Sequence, residues 1–229
     1  MAMHTVVKIG GSLLRLGTAH VSAVLGRLAD AISTVPLLVV PGGAVFDGEV
    51  RKASCYHNIG NDAAHWMAVT AMDAYGWWLV DLAPGSVPVR DLTEAQQAVV
   101  AGRVPVLLPF ALTYGRDALP HTWDVTSDSI AVWVAAAAGA RRVILVKDVD
   151  GIYATEPGRG PEPELLSEVD SATASNSGAV DRYFAEVLAR FFPSGECWVT
   201  GGTDPAGLAD LILGGRPTGT RVILRPASA

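Results

Sequence analysis

Residues 5–14 read TVVKIGGSLL. A short apolar run, rich in β-branched side chains, carries Lys8 near its end and breaks at once on Gly10, Gly11 and Ser12. An unbroken apolar run of this length suits a strand covered on both faces, which is the habit of parallel sheets. Glycines directly after such a strand let backbone N–H groups approach an anion with no Cβ in the way. A helix starting just beyond would add positive partial charge at the same place. The pattern recurs at 37–43, LLVVPGG, where Gly42 and Gly43 follow Pro41. At 142–151, RVILVKDVDG, a third buried-looking run ends in Lys147, Asp148, Asp150 and Gly151.

Working outward, apolar runs at 5–9, 36–40, 77–82, 104–108, 142–146, 196–199 and 221–224 read as strands. Between them, 61–75, 91–101, 126–138, 180–192 and 205–213 have helical period. So has the stripe Val21, Val24, Leu25, Leu28 and Ile32. Strand–helix alternation predicts an α/β fold, an open αβα sandwich around a mostly parallel central sheet. The 229 residues suffice for one such domain, expected to span 1–229. The Pro- and Gly-rich stretch 154–167 is expected to be a mobile flap on it, because too little chain follows for an independent fold.

Composition removes several functions. Half the residues are hydrophobic and 17% are charged, which excludes a disordered chain. Seventeen basic against 23 acidic residues give a net charge of −6 with no basic stripe, so no nucleic-acid partner is expected. The apolar stretch at 66–83 is interrupted by Asp73, Gly76 and Asp81, so no membrane partner is expected either. No basic region precedes an apolar one at the start, and a cytoplasmic location is expected. Cys55 and Cys197 are solitary, and no metal-ligating set, zinc-protease helix or P-loop is present as a motif. His57 and His121 have no ligand spacing.

In an open parallel sheet, ligands sit beyond the carboxyl ends of the strands. The two double-glycine loops fall there and would each hold one phosphate-like group, with Lys8 and Lys147 neutralising charge between them. Asp128, at the start of the 126–138 helix, would hold the two ammonium groups; Asp148 or Asp150 would meet magnesium or a ribose. Each feature alone has an ordinary structural explanation: a tight turn, a solvated lysine, a helix cap. It is their meeting on one sheet edge that points to phosphate chemistry.

The same residues resemble the amino acid kinase superfamily, which includes acetylglutamate, uridylate and isopentenyl phosphate kinases. The resemblance rests on VVKIGGSLL, VVPGGAVFDGEV, TSDSIAVWVA, ILVKDVDGIY and a closing P-x-x-L followed by GTRV, in that order along nearly the whole chain. It implies phosphoryl transfer from ATP, with Mg²⁺, to a carboxylate or phosphate. On that pattern Lys8 touches the transferred group, Gly10, Gly11 and Ser12 bind donor phosphates, and Gly42 and Gly43 hold the acceptor. Asp128 organises the lysines, and Lys147 to Tyr153 lie along the nucleotide. The family often has Gly-Met-x-x-Lys after the flap; here Gly178, Ala179, Val180 and Asp181 lead to Arg182, which keeps the charge on a planar fork. Lys147 stands where many members have Thr or Ser, and the acceptor-covering hairpin of acetylglutamate kinases is absent.

The stretch NDAAHWMAVTAMDAYG at 61–76, together with WDVTSDSIA, is most similar to the small kinases of methanofuran-type cofactor biosynthesis. Those convert an (aminomethyl)furanyl-methyl phosphate to its diphosphate. The resemblance makes Asp62, His65 and Trp66 candidate acceptor contacts, a carboxylate for the aminomethyl group and an aromatic ring for the furan. Phe110 and Thr113 are further candidates by position, and Trp77 and Trp78 read as core or subunit interface. The expected partner is a small-molecule phosphate acceptor, and the expected assembly a homo-oligomer. Competing readings are an isopentenyl phosphate or nucleoside monophosphate kinase and, from another class, a non-catalytic nucleotide- or oxyanion-binding protein.

Overall fold

The computed structural model describes residues 3–155, 163–215 and 218–224. The chain opens with β1 (Thr5–Ile9), a 3-10 turn (Gly11–Leu16), α1 (Thr18–Ala31) and β2 (Leu37–Pro41). Two helices follow directly, α2 (Ala44–His57) and α3 (Asn61–Leu82). Next come β3 (Ser86–Val89), α4 (Leu92–Val100), β4 (Val104–Leu107), α5 (Pro109–Arg116) and α6 (Ser127–Ala137). The remainder is β5 (Arg142–Lys147), β6 (Glu168–Asp170), α7 (Ser171–Asn176), α8 (Phe184–Phe191), β7 (Glu196–Gly201), α9 (Pro205–Ile212) and β8 (Thr220–Ile223).

The strands form one eight-stranded sheet in the order β3-β4-β2-β1-β5-β7-β8-β6. Every neighbouring pair is parallel except β7 with β8. All five residues of β1, and all five of β2, are buried. Successive side chains point to opposite faces, so helices cover both sides, as the unbroken Val/Ile/Leu runs require. The α1 stripe is buried at Val21, Val24, Leu25 and Leu28, and α6 buries every residue from Asp128 to Ala135. The expected αβα sandwich is present.

One strand assignment is wrong. The run at 77–82 is not a strand but the last turns of α3, and the strand lies just beyond it, at Ser86–Val89. A short apolar run looks the same by periodicity whether it is a buried strand or a buried helix end. Gly76 does not end the helix; it lets α3 approach closely, since a Cβ there would meet Leu108 Cδ2 at 2.8 Å. Trp77 at the end of this helix is 50% exposed. The helix expected at 180–192 is also shorter, Phe184–Phe191, because the preceding residues form a turn that serves α6.

Of the expected flap, the two arms lie in an antiparallel pairing. Ala154 N donates to Glu164 O and Leu166 N to Ile152 O, each at 2.9 Å. Residues 156–162 lie outside the described residues. Among the described residues, no helix is long and apolar enough to cross a membrane.

Candidate functional site

The chain crosses from the β2 side of β1 to its β5 side, and the carboxyl ends of these three strands share one edge. Lys8 pairs in register with Val40 on one side and Leu145 on the other, which puts it at the middle of that edge. Its Nζ lies 2.8 Å from Asp128 Oδ1, and Lys147 Nζ lies 2.6 Å from Asp128 Oδ2. One carboxylate thus spans two ammonium groups, with Lys8 and Asp128 both about 95% buried, at 5% and 4% exposure. Burial alone would raise the Asp128 pKa, but Lys147 and Lys8 outweigh it and hold the carboxyl at about 2. Burial lowers the Lys8 pKa, and Lys147 pushes the same way against the pull of Asp128.

Both double-glycine loops flank this cluster and touch each other. Gly10 N donates to Val146 O at 2.9 Å and Gly42 N to Ile9 O at 2.8 Å, which ties each loop to its neighbouring strand. A Cβ on Gly11 would sit 2.3 Å from Ala44 Cα; one on Gly42 would sit 2.9 Å from Gly11 N and 3.5 Å from Ser127 Oγ. A Cβ on Gly10 would lie 3.5 Å from Ser12 Oγ and 3.6 Å from Lys8 Nζ. The expected set Lys8, Gly10, Gly11, Ser12, Gly42, Gly43, Asp128 and Lys147 is therefore one constellation. A glycine-lined surface with two cations behind it suits a pair of phosphate groups.

Asp128 is aimed by a residue that sequence reasoning missed. Asp181 accepts from Thr126 N and Oγ1 at 2.9 Å, from Ser129 N at 3.0 Å and from Ser129 Oγ at 2.6 Å. It thereby caps the start of α6 on either side of Asp128, across 52 residues of sequence. Burial and the nearby Asp128 charge push its pKa up, against these hydrogen bonds. Arg182 beside it is exposed and lines an open cleft of about 780 Å³ with Arg51, Trp123 and Thr126.

Beyond β5, Asp148 pairs with exposed Arg15 at 3.1 Å. Asp150 accepts from Thr203 Oγ1 at 2.6 Å and from Tyr153 OH at 3.4 Å. His20 Nε2 donates to the carbonyl of Gly202. Gly151 has a packing reason of its own, since a Cβ there would meet Thr220 Oγ1 at 2.6 Å. Neither acid belongs to a metal-ligating group: among the described residues, no cluster of three or more His, Cys, Asp or Glu side chains could hold an ion.

The acceptor-side candidates separate. His65 lines a small cavity of about 40 Å³ with Gly43, Asp47, Arg51, Trp123 and Ser127. This cavity shares Arg51, Trp123 and Thr126 with the larger cleft, so the two are neighbours. Arg51 lies 4.2 Å over the Trp123 ring, and burial pushes the Asp47 pKa up against the pull of Arg51. Trp66 does not reach this cavity. It packs edge-on to Phe110 at 6.0 Å and Tyr114 at 4.9 Å, because its position one residue after His65 turns it to the α5 side. Phe110 belongs to that aromatic cluster, and the Thr113 hydroxyl is spent on Pro109 O at 2.8 Å. Asp62 points to His121 and not to the glycine loops.

The pattern that defines the amino acid kinase family matches residues 3–206. A [5-(aminomethyl)furan-3-yl]methyl phosphate kinase of Methanocaldococcus jannaschii is 28% identical over 222 residues, covering 96% of this chain and 98% of that protein. An acetylglutamate kinase of Bifidobacterium longum subsp. infantis is 37% identical over 73 residues, only 32% of this chain and 23% of that enzyme. In fold, the chain superposes on the uridylate kinase of Archaeoglobus fulgidus with a TM-score of 0.72 at 18% identity, covering 96% of this chain and all of that one.

Proposed function

The chain belongs to the amino acid kinase family and is a phosphotransferase, and from that premise we propose that it transfers the γ-phosphoryl group of ATP to the phosphate of a small organic monophosphate. The acceptor is [5-(aminomethyl)furan-3-yl]methyl phosphate and the product its diphosphate, a step of methanofuran-type cofactor biosynthesis. The near full-length similarity to the M. jannaschii kinase supports this choice of acceptor. The observation that carries the transfer chemistry is the buried carboxylate of Asp128 spanning Lys8 and Lys147 between two touching glycine loops.

An acceptor phosphate already offers an anionic oxygen, so no general base is required. That oxygen attacks the γ-phosphorus, a new P–O–P bond forms, the bond to the β-phosphate oxygen breaks, and ADP leaves with the electron pair. The obstacle is bringing two anions together in line. Lys8 offsets charge on the transferred group, and Lys147 does so on the donor side. Asp128 fixes the separation of the two ammonium groups. Gly10, Gly11 and Ser12 hold donor phosphates, Gly42 and Gly43 the acceptor phosphate, with Asp148, Asp150 and Tyr153 along the nucleotide. Mg²⁺ enters with ATP as part of that substrate, in keeping with an ion bound chiefly by phosphate oxygens and water. Arg182 draws anions into the wide cleft from its rim.

The test compares initial rates with the furan phosphate, isopentenyl phosphate, UMP and acetylglutamate at fixed ATP and Mg²⁺. The furan phosphate should lead by about a hundredfold or more, as expected when buried polar partners are left unpaired by a wrong substrate. A faster rate with isopentenyl phosphate or UMP overturns the acceptor, and ATP binding without transfer to any of them overturns the kinase reading.

A further inference from the structure

A second titratable network lies against the acceptor cavity, and the phosphoryl chemistry makes no use of it. His121, between α5 and α6, has Nδ1 2.8 Å from Asp62 Oδ1 and Nε2 2.8 Å from Asp117 Oδ1. A carboxylate oxygen only accepts, so both ring nitrogens donate, and a ring donating from both is an imidazolium. Burial would lower its pKa, but the bonds to Asp62 and Asp117 outweigh this and push it up.

The His65 ring stacks on His121 with centroids 4.3 Å apart and planes 18° from parallel. Trp66 meets both rings edge-on, at 4.7 Å and 5.0 Å. A second positive ring in this stack would face the first at contact distance. Burial and then the His121 charge hold the His65 pKa down at about 4, against Asp117 and Asp62. The charged groups around His65 are Asp47 and Arg51 from α2, Asp62 from α3, and Asp117 and His121 from the segment that follows α5. Asp47 and Arg51 offset each other, whereas two carboxylates around one imidazolium leave a formal surplus of one negative charge. His65 therefore offers the cavity it lines a neutral imidazole, whose unprotonated nitrogen suits a hydrogen-bond donor such as an amine.

We propose that His121 is a positioning residue, a fixed imidazolium clamped by Asp62 and Asp117 that adds to burial in keeping His65 neutral, and that His65 reads an amine on the acceptor. The second half rests on the reading that the cavity beside Gly43 takes the acceptor.

The test has two arms on the full chain. In the first, ¹⁵N-histidine NMR titration without substrate compares wild type with His121→Asn. Wild-type His121 should be doubly protonated at pH 7 with His65 neutral, and His65 should titrate about one pH unit higher in the variant. A neutral His121 tautomer at pH 7, or an unmoved His65, overturns the proposal. Should His121→Asn fail to fold, Asp62→Asn replaces it, since that carboxylate is 89% exposed. It should lower the His121 pKa, and an unmoved His121 overturns the proposal. In the second arm, His65→Phe should raise KM for the furan phosphate about tenfold and leave KM alone for the analogue with methyl in place of aminomethyl. Equal changes for both acceptors overturn the amine reading. If neither acceptor is turned over, the kinase reading fails and the titration arm still decides the histidine assignment.

Discussion

Lys8 and Asp128 form a buried pair whose two members fail differently when altered. Lys8→Ala leaves Asp128 with Lys147 at 2.6 Å, so the carboxylate keeps a partner and the fold survives. What is lost is the cation beside Gly10, and turnover should fall by about 10²–10³, the cost of removing one preorganised charge from a transition state. Circular dichroism with a steady-state assay checks this, and near-normal turnover in a folded variant contradicts it. Asp128→Asn leaves two lysines facing each other with no counter-charge and should cost about 3–5 kcal/mol of stability. It should also lower kcat far more than ATP affinity, because the partners of Asp128 are lysines. The acid limb follows from the sign of its shift. The pKa is lowered in the fold from 3.8 to about 2, so Asp128 contributes stability above about pH 4 that is lost as pH falls toward 2. Urea unfolding of wild type and Asp128→Asn across that window should show the gap between them narrowing; a constant gap contradicts the assigned ionisation.

At the scale of elements, the site depends on how closely the 3-10 turn after β1 approaches the start of α2. Gly11→Ala would put a methyl 2.3 Å from Ala44 Cα and 2.4 Å from its N, contacts with backbone that no rotamer change relieves. The variant should lose about 1–3 kcal/mol, as overpacked sites do, and lose turnover further because the two cradles part. Thermal unfolding alongside kcat tests this, and an unchanged midpoint would contradict the contact. These loops were legible in the sequence because each glycine pair follows an unbroken buried strand, a local signal. The end of α3 was not, since WWLV at 77–80 satisfies strand and helix alike. Nor was the cap from Asp181 to Ser129 or the clamp from Asp62 to His121, which join residues 52 and 59 positions apart. A carboxylate in a turn carries no mark of the helix it will cap. The same distance effect made Trp66 look like an acceptor contact: adjacent to His65 in sequence, it points into an aromatic cluster instead.

On the scale of the whole molecule, the sheet order explains why one edge collects the chemistry. β1 is flanked by β2 and β5, reached by connections on opposite sides, and the crevice lies beyond the carboxyl ends of these strands. On α2 and α3, Val45, Phe46, Met67 and Trp77 remain exposed. Apolar side chains left in water on two neighbouring helices are a surface that the expected homo-oligomer would cover. Sedimentation should return a mass of at least two chains, and a monomer at micromolar concentration would remove that part of the account. The central claim is direct phosphoryl transfer onto a phosphate at the Lys8–Asp128–Lys147 edge. Its most direct measurement is ³¹P NMR of ATP, Mg²⁺ and [5-(aminomethyl)furan-3-yl]methyl phosphate with wild type and Lys8→Ala in parallel. Wild type should convert the acceptor monophosphate resonance into a coupled diphosphate pair, in step with the appearance of ADP, and the variant should be nearly silent. Release of the γ-phosphate as inorganic phosphate with the acceptor untouched, or equal diphosphate formation by the variant, would contradict the account.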